Sequence, residues 1–249
     1  LASAAITEGG TTTNIEYQYN TDGIRVSKTV DGEETRFLID ANQQEFAQVI
    51  EEYSPGGIIQ VVYTHGNDLI SQTRDTEKGF YHADSLGSVR LLTDLSGNVA
   101  NTYLYDPYGS VINQLEIQQN SYKFTGEQFD RELENYYLRA RYYDPVTGRF
   151  VSRDPFAGFL ERPLSLNDYL YTEGNPINAI DPSGEVSFLE YRVLYTGFAL
   201  GLLSAVETCA GESAFISIPL SVFKVFRVAA VVLAGVGVGL LVCYLKPSD

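Results

Sequence analysis

The sequence predicts a mainly β fold of repeated antiparallel hairpins, followed by a hydrophobic, mostly α-helical C-terminal tail. Short apolar and aromatic runs alternate with turn-forming residues through the first 110 positions. Tyrosine is abundant, 18 of 249 residues with no tryptophan, and recurs beside Asp or Asn. Charge and hydropathy both change near Gly184.

The runs expected as strands are Ile15–Tyr19, Arg25–Thr29, Thr35–Ile39, Val49–Tyr53, Ile58–Tyr63, Leu69–Thr73, Gly79–His82, Val89–Leu92 and Val99–Leu104. Between them stand Asp22-Gly23, Asp31-Gly32, Pro55-Gly56-Gly57, Gly66-Asn67 and Gly97-Asn98. Gly and Asn tolerate the positive φ that tight hairpin turns require. In Ile15-Glu16-Tyr17-Gln18-Tyr19 the period of two places Ile15, Tyr17 and Tyr19 on one face. Tyr19-Asn20, Tyr105-Asp106 and Tyr143-Asp144 each read as a strand closed by tyrosine and turned by the next residue. Hairpins of this kind bury a face only by stacking on neighbours, as in repeat architectures.

Residues 111–184 lose the hairpin rhythm. Tyr136–Tyr143 reads as one strand, with Tyr137, Arg139, Arg141 and Tyr143 on one face and Tyr136, Leu138, Ala140 and Tyr142 on the other. Asp144-Pro145-Val146-Thr147-Gly148 reads as a turn. Leu166–Tyr171 reads as a short helix capped by Ser165 and stopped at Glu173-Gly174-Asn175-Pro176.

The net charge is −15. Nucleic acid is not an expected partner, because binding it needs a basic footprint for phosphates. Residues 186–249 hold four acids (Glu190, Glu207, Glu212, Asp249) and four bases (Arg192, Lys224, Arg227, Lys246), so residues 1–185 carry the whole imbalance. A break this sharp marks a module boundary. Both cysteines, Cys209 and Cys243, lie in the tail and exclude a disulfide framework or a cysteine zinc site. Two buried thiols are expected there. A chain that opens on Leu1 and lacks methionine is expected to be part of a longer protein.

Motifs then follow in order. Tyr81-His82-Ala83-Asp84-Ser85-Leu86-Gly87-Ser88-Val89-Arg90 precedes Tyr105-Asp106-Pro107-Tyr108-Gly109 and Phe124-Thr125-Gly126-Glu127. Tyr136 to Pro155 follows, then Asn167-Asp168-Tyr169, Gly174-Asn175-Pro176 and Asp181-Pro182-Ser183-Gly184. Residues 78–184 resemble the Rhs repeat-associated core, and the upstream strands resemble YD repeats. The resemblance implies a secreted or cell-envelope protein in which β-hairpins wind into a hollow shell that the core closes. It divides the chain into YD repeats at 1–110, the core end at 111–184 and a variable tail at 185–249. Implied partners are the upstream shell of the same chain and an immunity or secretion-adaptor protein; no cofactor is implied.

Some members of the family cleave themselves after the core with an aspartic site, releasing the tail. Such chemistry needs two carboxylates close together, one as base towards water and one as proton donor. The candidates are Asp154, Asp168 and Asp181, with Arg153 available to bias a neighbouring carboxylate. The cleavage point would be Gly184-Glu185, where Glu185 replaces the apolar residue of cleaving members. The competing reading is that Asp154 and Asp181 only shape turns and Asp168 supports a helix start. His82, Asp84, Ser85 and Ser88 are too close in sequence to be expected to converge as a triad. Arg139, Arg141, Arg149 and Arg153, set among tyrosines, are expected to stack and pair with local acids.

Val228–Tyr244 is an uncharged run at the lower limit for a membrane span, flanked by Lys224, Arg227 and Lys246. With Val193–Val206 it could form a hairpin in a membrane, or a buried helix pair within the shell. Three functions stay open: an encapsulating module with a membrane-competent tail, an aspartic autoprotease releasing that tail, or a membrane-anchored surface adhesion protein.

Overall fold

The computed structural model describes residues 1–41, 46–66 and 68–185. The expected tail helices, including Val228–Tyr244, lie outside them. Among the described residues no helix is long and apolar enough to cross a membrane.

Eleven strands form one antiparallel sheet in sequence order. They are β1 Ser3–Glu8, β2 Thr11–Tyr19, β3 Arg25–Val30, β4 Glu33–Asp40, β5 Gln48–Tyr53, β6 Ile59–His65, β7 Leu69–Arg74, β8 Glu77–Ala83, β9 Val89–Thr93, β10 Val99–Tyr105 and β11 Val111–Glu116. All nine expected strands are present. The first and last, β1 and β11, went unforeseen, so the hairpin rhythm continues past residue 110.

One turn recurs along this sheet. Asn20, Asp84, Asp94 and Asp106 each accept on Oδ1 the amides two and four residues on, at 2.8–3.0 Å. Three residues after each stands a glycine with positive φ: Gly23, Gly87, Gly97 and Gly109. The side chain thus satisfies amides that the turn leaves without ladder partners. At Gly109 a Cβ would also strike the Phe124 ring.

A second, four-stranded sheet follows: β12 Gln128–Asp130, β13 Asn135–Leu138, β14 Arg141–Asp144 and β15 Arg149–Phe150. Tyr136–Tyr143 is therefore a hairpin rather than one strand, with Tyr136 opposite Tyr143, Tyr137 opposite Tyr142 and Leu138 opposite Arg141. Tyr136, Leu138 and Tyr143 share one apolar cluster, while Tyr137 and Tyr142 share another. The turn at 145–148 is as expected.

Leu166–Tyr171 is not a helix. Short 3-10 turns occupy Pro163–Leu166 and Tyr171–Gly174 instead. Between them, Tyr169 O accepts the Phe150 amide at 2.9 Å and Leu170 bridges Arg149. Pairing with β15 outweighs the helical preference, and Ser165 bonds Phe159 and Arg162 rather than capping a helix.

The two sheets share their cores. Val89, Leu92, Tyr103 and Tyr105 of the large sheet pack with Phe124, Tyr136, Leu138, Tyr143, Phe150 and Tyr171. Phe37, Val49, Val61 and Tyr63 pack on Tyr122, while Ile15 and Tyr17 meet Tyr137 and Tyr142. These buried tyrosines are thus inner-face residues, each bringing a large ring and a hydroxyl that needs a partner.

Candidate functional site

The segment Asp181-Pro182-Ser183-Gly184 is a variant of the large-sheet turn, with the amides three and four residues on in place of two and four. Asp181 Oδ1 accepts the amides of Gly184 at 2.9 Å and Glu185 at 3.2 Å, and Gly184 has φ +72°. This copy is buried against the β13–β14 hairpin instead of closing a hairpin of its own.

The hairpin tip Arg139-Ala140-Arg141 grips that segment in register. Arg139 Nη1 donates to Pro182 O, Ala140 N to Ser183 O at 3.2 Å, and Arg141 Nε to Gly184 O. Three consecutive residues take three consecutive carbonyls. Gly184 is required here, because a Cβ would collide with Leu138 O.

Arg141 is the centre of the arrangement. Its guanidinium is buried and lies over the Phe150 ring at 3.5 Å. Nη1 donates to Asp168 O at 2.9 Å; Nη2 reaches Asp154 Oδ2 at 2.7 Å and Asp181 Oδ2 at 3.5 Å. Two of the three candidate carboxylates therefore meet at one nitrogen, 27 positions apart in sequence. The third does not join them: the Asp168 carboxylate pairs with Arg153 Nε at 2.7 Å, and Arg153 is 76 % exposed. Asp168 contributes its backbone instead, accepting the Asp154 amide at 2.9 Å as well as Arg141.

Burial pushes the Asp154 carboxyl above its usual range, against the Phe156 amide and Arg141, with Asp168 adding to the rise. Burial likewise raises Asp181, against the Ser183 hydroxyl, Arg141 and two amides. The same burial pulls Arg141 down, and Asp154, Asp181 and Glu185 do not offset it fully. Asp154, Asp181 and Arg141 are each held closer to neutrality than in water. Shifts of interacting ionisable groups cluster at functional sites, though structural ion pairs produce them too.

The polar residues at 82–88 engage separate partners. His82 bonds Thr93, Asp84 bonds its own turn and Arg90, and Ser88 accepts the Thr125 amide. Among the described residues no group of acids, histidines or cysteines could hold a metal ion. Arg139 pairs with Glu127 at 2.8 Å, as expected of an arginine serving to hold the fold together. Arg141 was read the same way, and its part in the site was missed. Its contacts lie as far as 43 positions away, beyond any local pattern.

A family profile described as Teneurin YD-shell matches residues 4–177. The chain is 35 % identical over 188 residues to a tRNA3(Ser)-specific nuclease, WapA, of Bacillus spizizenii, covering 74 % of this chain and 8 % of that protein. It is 28 % identical over 208 residues to the toxin protein Tse5 of Pseudomonas aeruginosa, covering 70 % and 16 %. In fold it is similar to the TcdB2-TccC3-TEV crystal structure, with a TM-score of 0.55, 20 % identity, and 74 % of this chain against 10 % of that one. The chain thus spans between 8 % and 16 % of the length of these relatives.

Proposed function

This chain belongs to the Rhs/YD-shell family, and from that premise we propose that it closes one end of an encapsulating β shell in a larger toxin-like protein. The shell would be secreted or sit in the cell envelope, with the upstream shell of the same chain as its main partner. The observation that supports this reading is the three-carbonyl grip of the β13–β14 tip on residues 182–184. The grip pre-orders a segment that would otherwise cost conformational entropy. Limited proteolysis of the full protein tests it. Bonds at 182–185 should resist cleavage in the wild type and become labile in Arg139→Ala. Equal digestion of the two proteins would remove the reading.

A second reading is favoured by the convergence of Asp154 and Asp181 on Arg141. In it the cluster hydrolyses the Gly184–Glu185 bond and frees the tail for delivery, a membrane being the target that its apolar runs suggest. Water adds to the Gly184 carbonyl carbon and passes a proton to Asp154, while Asp181 gives its proton to the departing Glu185 nitrogen. The raised Asp181 suits a proton donor. A new amino terminus at Glu185, lost in Asp154→Asn and Asp181→Asn, is the expected result. An intact 27.6 kDa chain in every case would leave the turn-shaping role alone.

A further inference from the structure

We propose that Arg141 is itself a catalytic residue of the seam: its Nε–H polarises the Gly184 carbonyl and stabilises the oxyanion formed when water adds there. The inference rests on the autoproteolytic reading above. It goes beyond that reading by assigning the electrophilic role to Arg141, with Asp154 engaged at the water and Asp181 at the Glu185 nitrogen.

The geometry is specific. Both ends of one peptide group are held: Gly184 O by Arg141 Nε, and the Glu185 amide by Asp181 Oδ1 at 3.2 Å. At the neighbouring peptide, Ser183 O accepts the Ala140 backbone amide at 3.2 Å, a neutral donor. The guanidinium is pinned elsewhere, with Nη1 on Asp168 O, Nη2 on Asp154 and Asp181, and its plane over Phe150. Nε is therefore the edge left to face the carbonyl. A donor fixed before the reaction and shielded from water stabilises developing negative charge without reorganising. The planar fork of arginine makes this possible; a lysine ammonium could not serve all four acceptors in one plane.

Bond changes balance without any further reactant. Water adds to the carbonyl carbon, and the carbonyl electron pair moves to oxygen under Arg141. Asp154 takes the water proton and Asp181 protonates the Glu185 nitrogen. The C–N bond then breaks, leaving a carboxyl at Gly184 and an amine at Glu185.

The test uses the full chain, as wild type and with Glu185→Leu, each combined with Arg141→Ala, Arg141→Lys or Asp154→Asn. Intact mass and amino-terminal sequencing follow the appearance of the Glu185 terminus, and thermal unfolding monitors the fold. Arg141→Ala should slow cleavage by about a hundredfold, with added guanidinium ion restoring part of the rate, and Arg141→Lys should fall between. Cleavage at the wild-type rate in Arg141→Ala overturns the inference while the autoproteolytic reading stands. Loss of cleavage together with the unfolding transition, without rescue by guanidinium, assigns Arg141 to folding alone and also overturns it. No Glu185 terminus in any chain, Glu185→Leu included, removes the autoproteolytic reading and this inference with it.

Discussion

Among the described residues two arginines are buried, Arg25 and Arg141, and their surroundings differ in kind. Arg25 of β3 joins the large sheet to the small one through Asp130 at 2.6 Å, Gln128 at 2.7 Å and the Tyr142 hydroxyl at 3.2 Å. Its guanidinium lies over the rings of Tyr17, Phe37 and Tyr137. Burial opposes ionisation of Asp130, but Arg25, Lys28 and the Tyr17 hydroxyl outweigh it and hold the carboxyl below its usual range. Arg141 sits among more carboxylates, yet Asp154 and Asp181 are raised and Arg141 is lowered. One centre favours its charges and serves as a joint. The other disfavours them, which is a cost a purely structural joint would not need.

The largest effect should come from breaking the joint. Arg25→Met leaves the buried Asp130 with Lys28 as its remaining cation and the Tyr17 hydroxyl as a donor, and removing one partner of a buried pair costs about 3–5 kcal/mol. Urea unfolding would measure it, and a loss below about 1 kcal/mol would show that the aromatic cage, not the charge, holds the sheets together. A smaller contrast separates the two settings of the repeated turn. Gly97→Ala meets open space and carries only the strain of a positive φ, about 1–2 kcal/mol. Gly184→Ala adds a collision with Leu138 O, so it should cost about 1 kcal/mol or more beyond Gly97→Ala. Equal losses would mean that the grip on residues 182–184 yields easily.

Acidity turns the comparison into opposite slopes. Asp130 has a lowered carboxyl, so its stabilisation is present above the usual carboxylate range and is lost as pH falls through the folded value. Asp181 has a raised carboxyl, so its contribution is complete below the usual value and is lost as pH rises through the folded one. Asp181→Asn should therefore change stability by less than about 1 kcal/mol at neutral pH. The wild type should gain on that variant as pH falls towards about 4. Against Asp130→Asn the wild type should instead lose ground over the same range. Slopes of the same sign would abolish the distinction between joint and seam.

How much of this was legible in the sequence depends on how far apart the partners lie. The nine expected strands carried their own alternation and their own Gly, Asn or Asp turns. The unforeseen β1 and β11 are the two edges of the large sheet; β1 opens on the small residues Ser3, Ala4 and Ala5, and β11 runs Val-Ile-Asn-Gln-Leu-Glu without alternation. The β13–β14 hairpin was hidden because Arg139-Ala140 contains no usual turn residue, although Arg139 takes the left-handed conformation at φ 55°. The tight pairing of Tyr136 with Tyr143 stabilises that bend from outside. Asp154 and Asp181 were visible as candidates, since Asp-Pro marks both. Their meeting was not, because it depends on an arginine placed by a fold-back that local pattern does not encode.

The smallest effect is expected where the sequence expected a catalytic helper. Arg153 stands beside Asp154 in the chain, yet it reaches outward to Asp168 and leaves Asp154 to Arg141. An ion pair so exposed gains little from Coulomb attraction in high dielectric and restricts two flexible side chains, so Arg153→Gln should cost under about 0.5 kcal/mol. Added salt should shrink even that difference. If Arg153→Gln instead destabilised the fold as much as Arg25→Met, the charge holding this end of the chain would lie on the surface. Arg141 would then be a bystander to it. Measured side by side by urea unfolding, the two substitutions therefore decide whether burial or mere adjacency in sequence selects the arginine that matters.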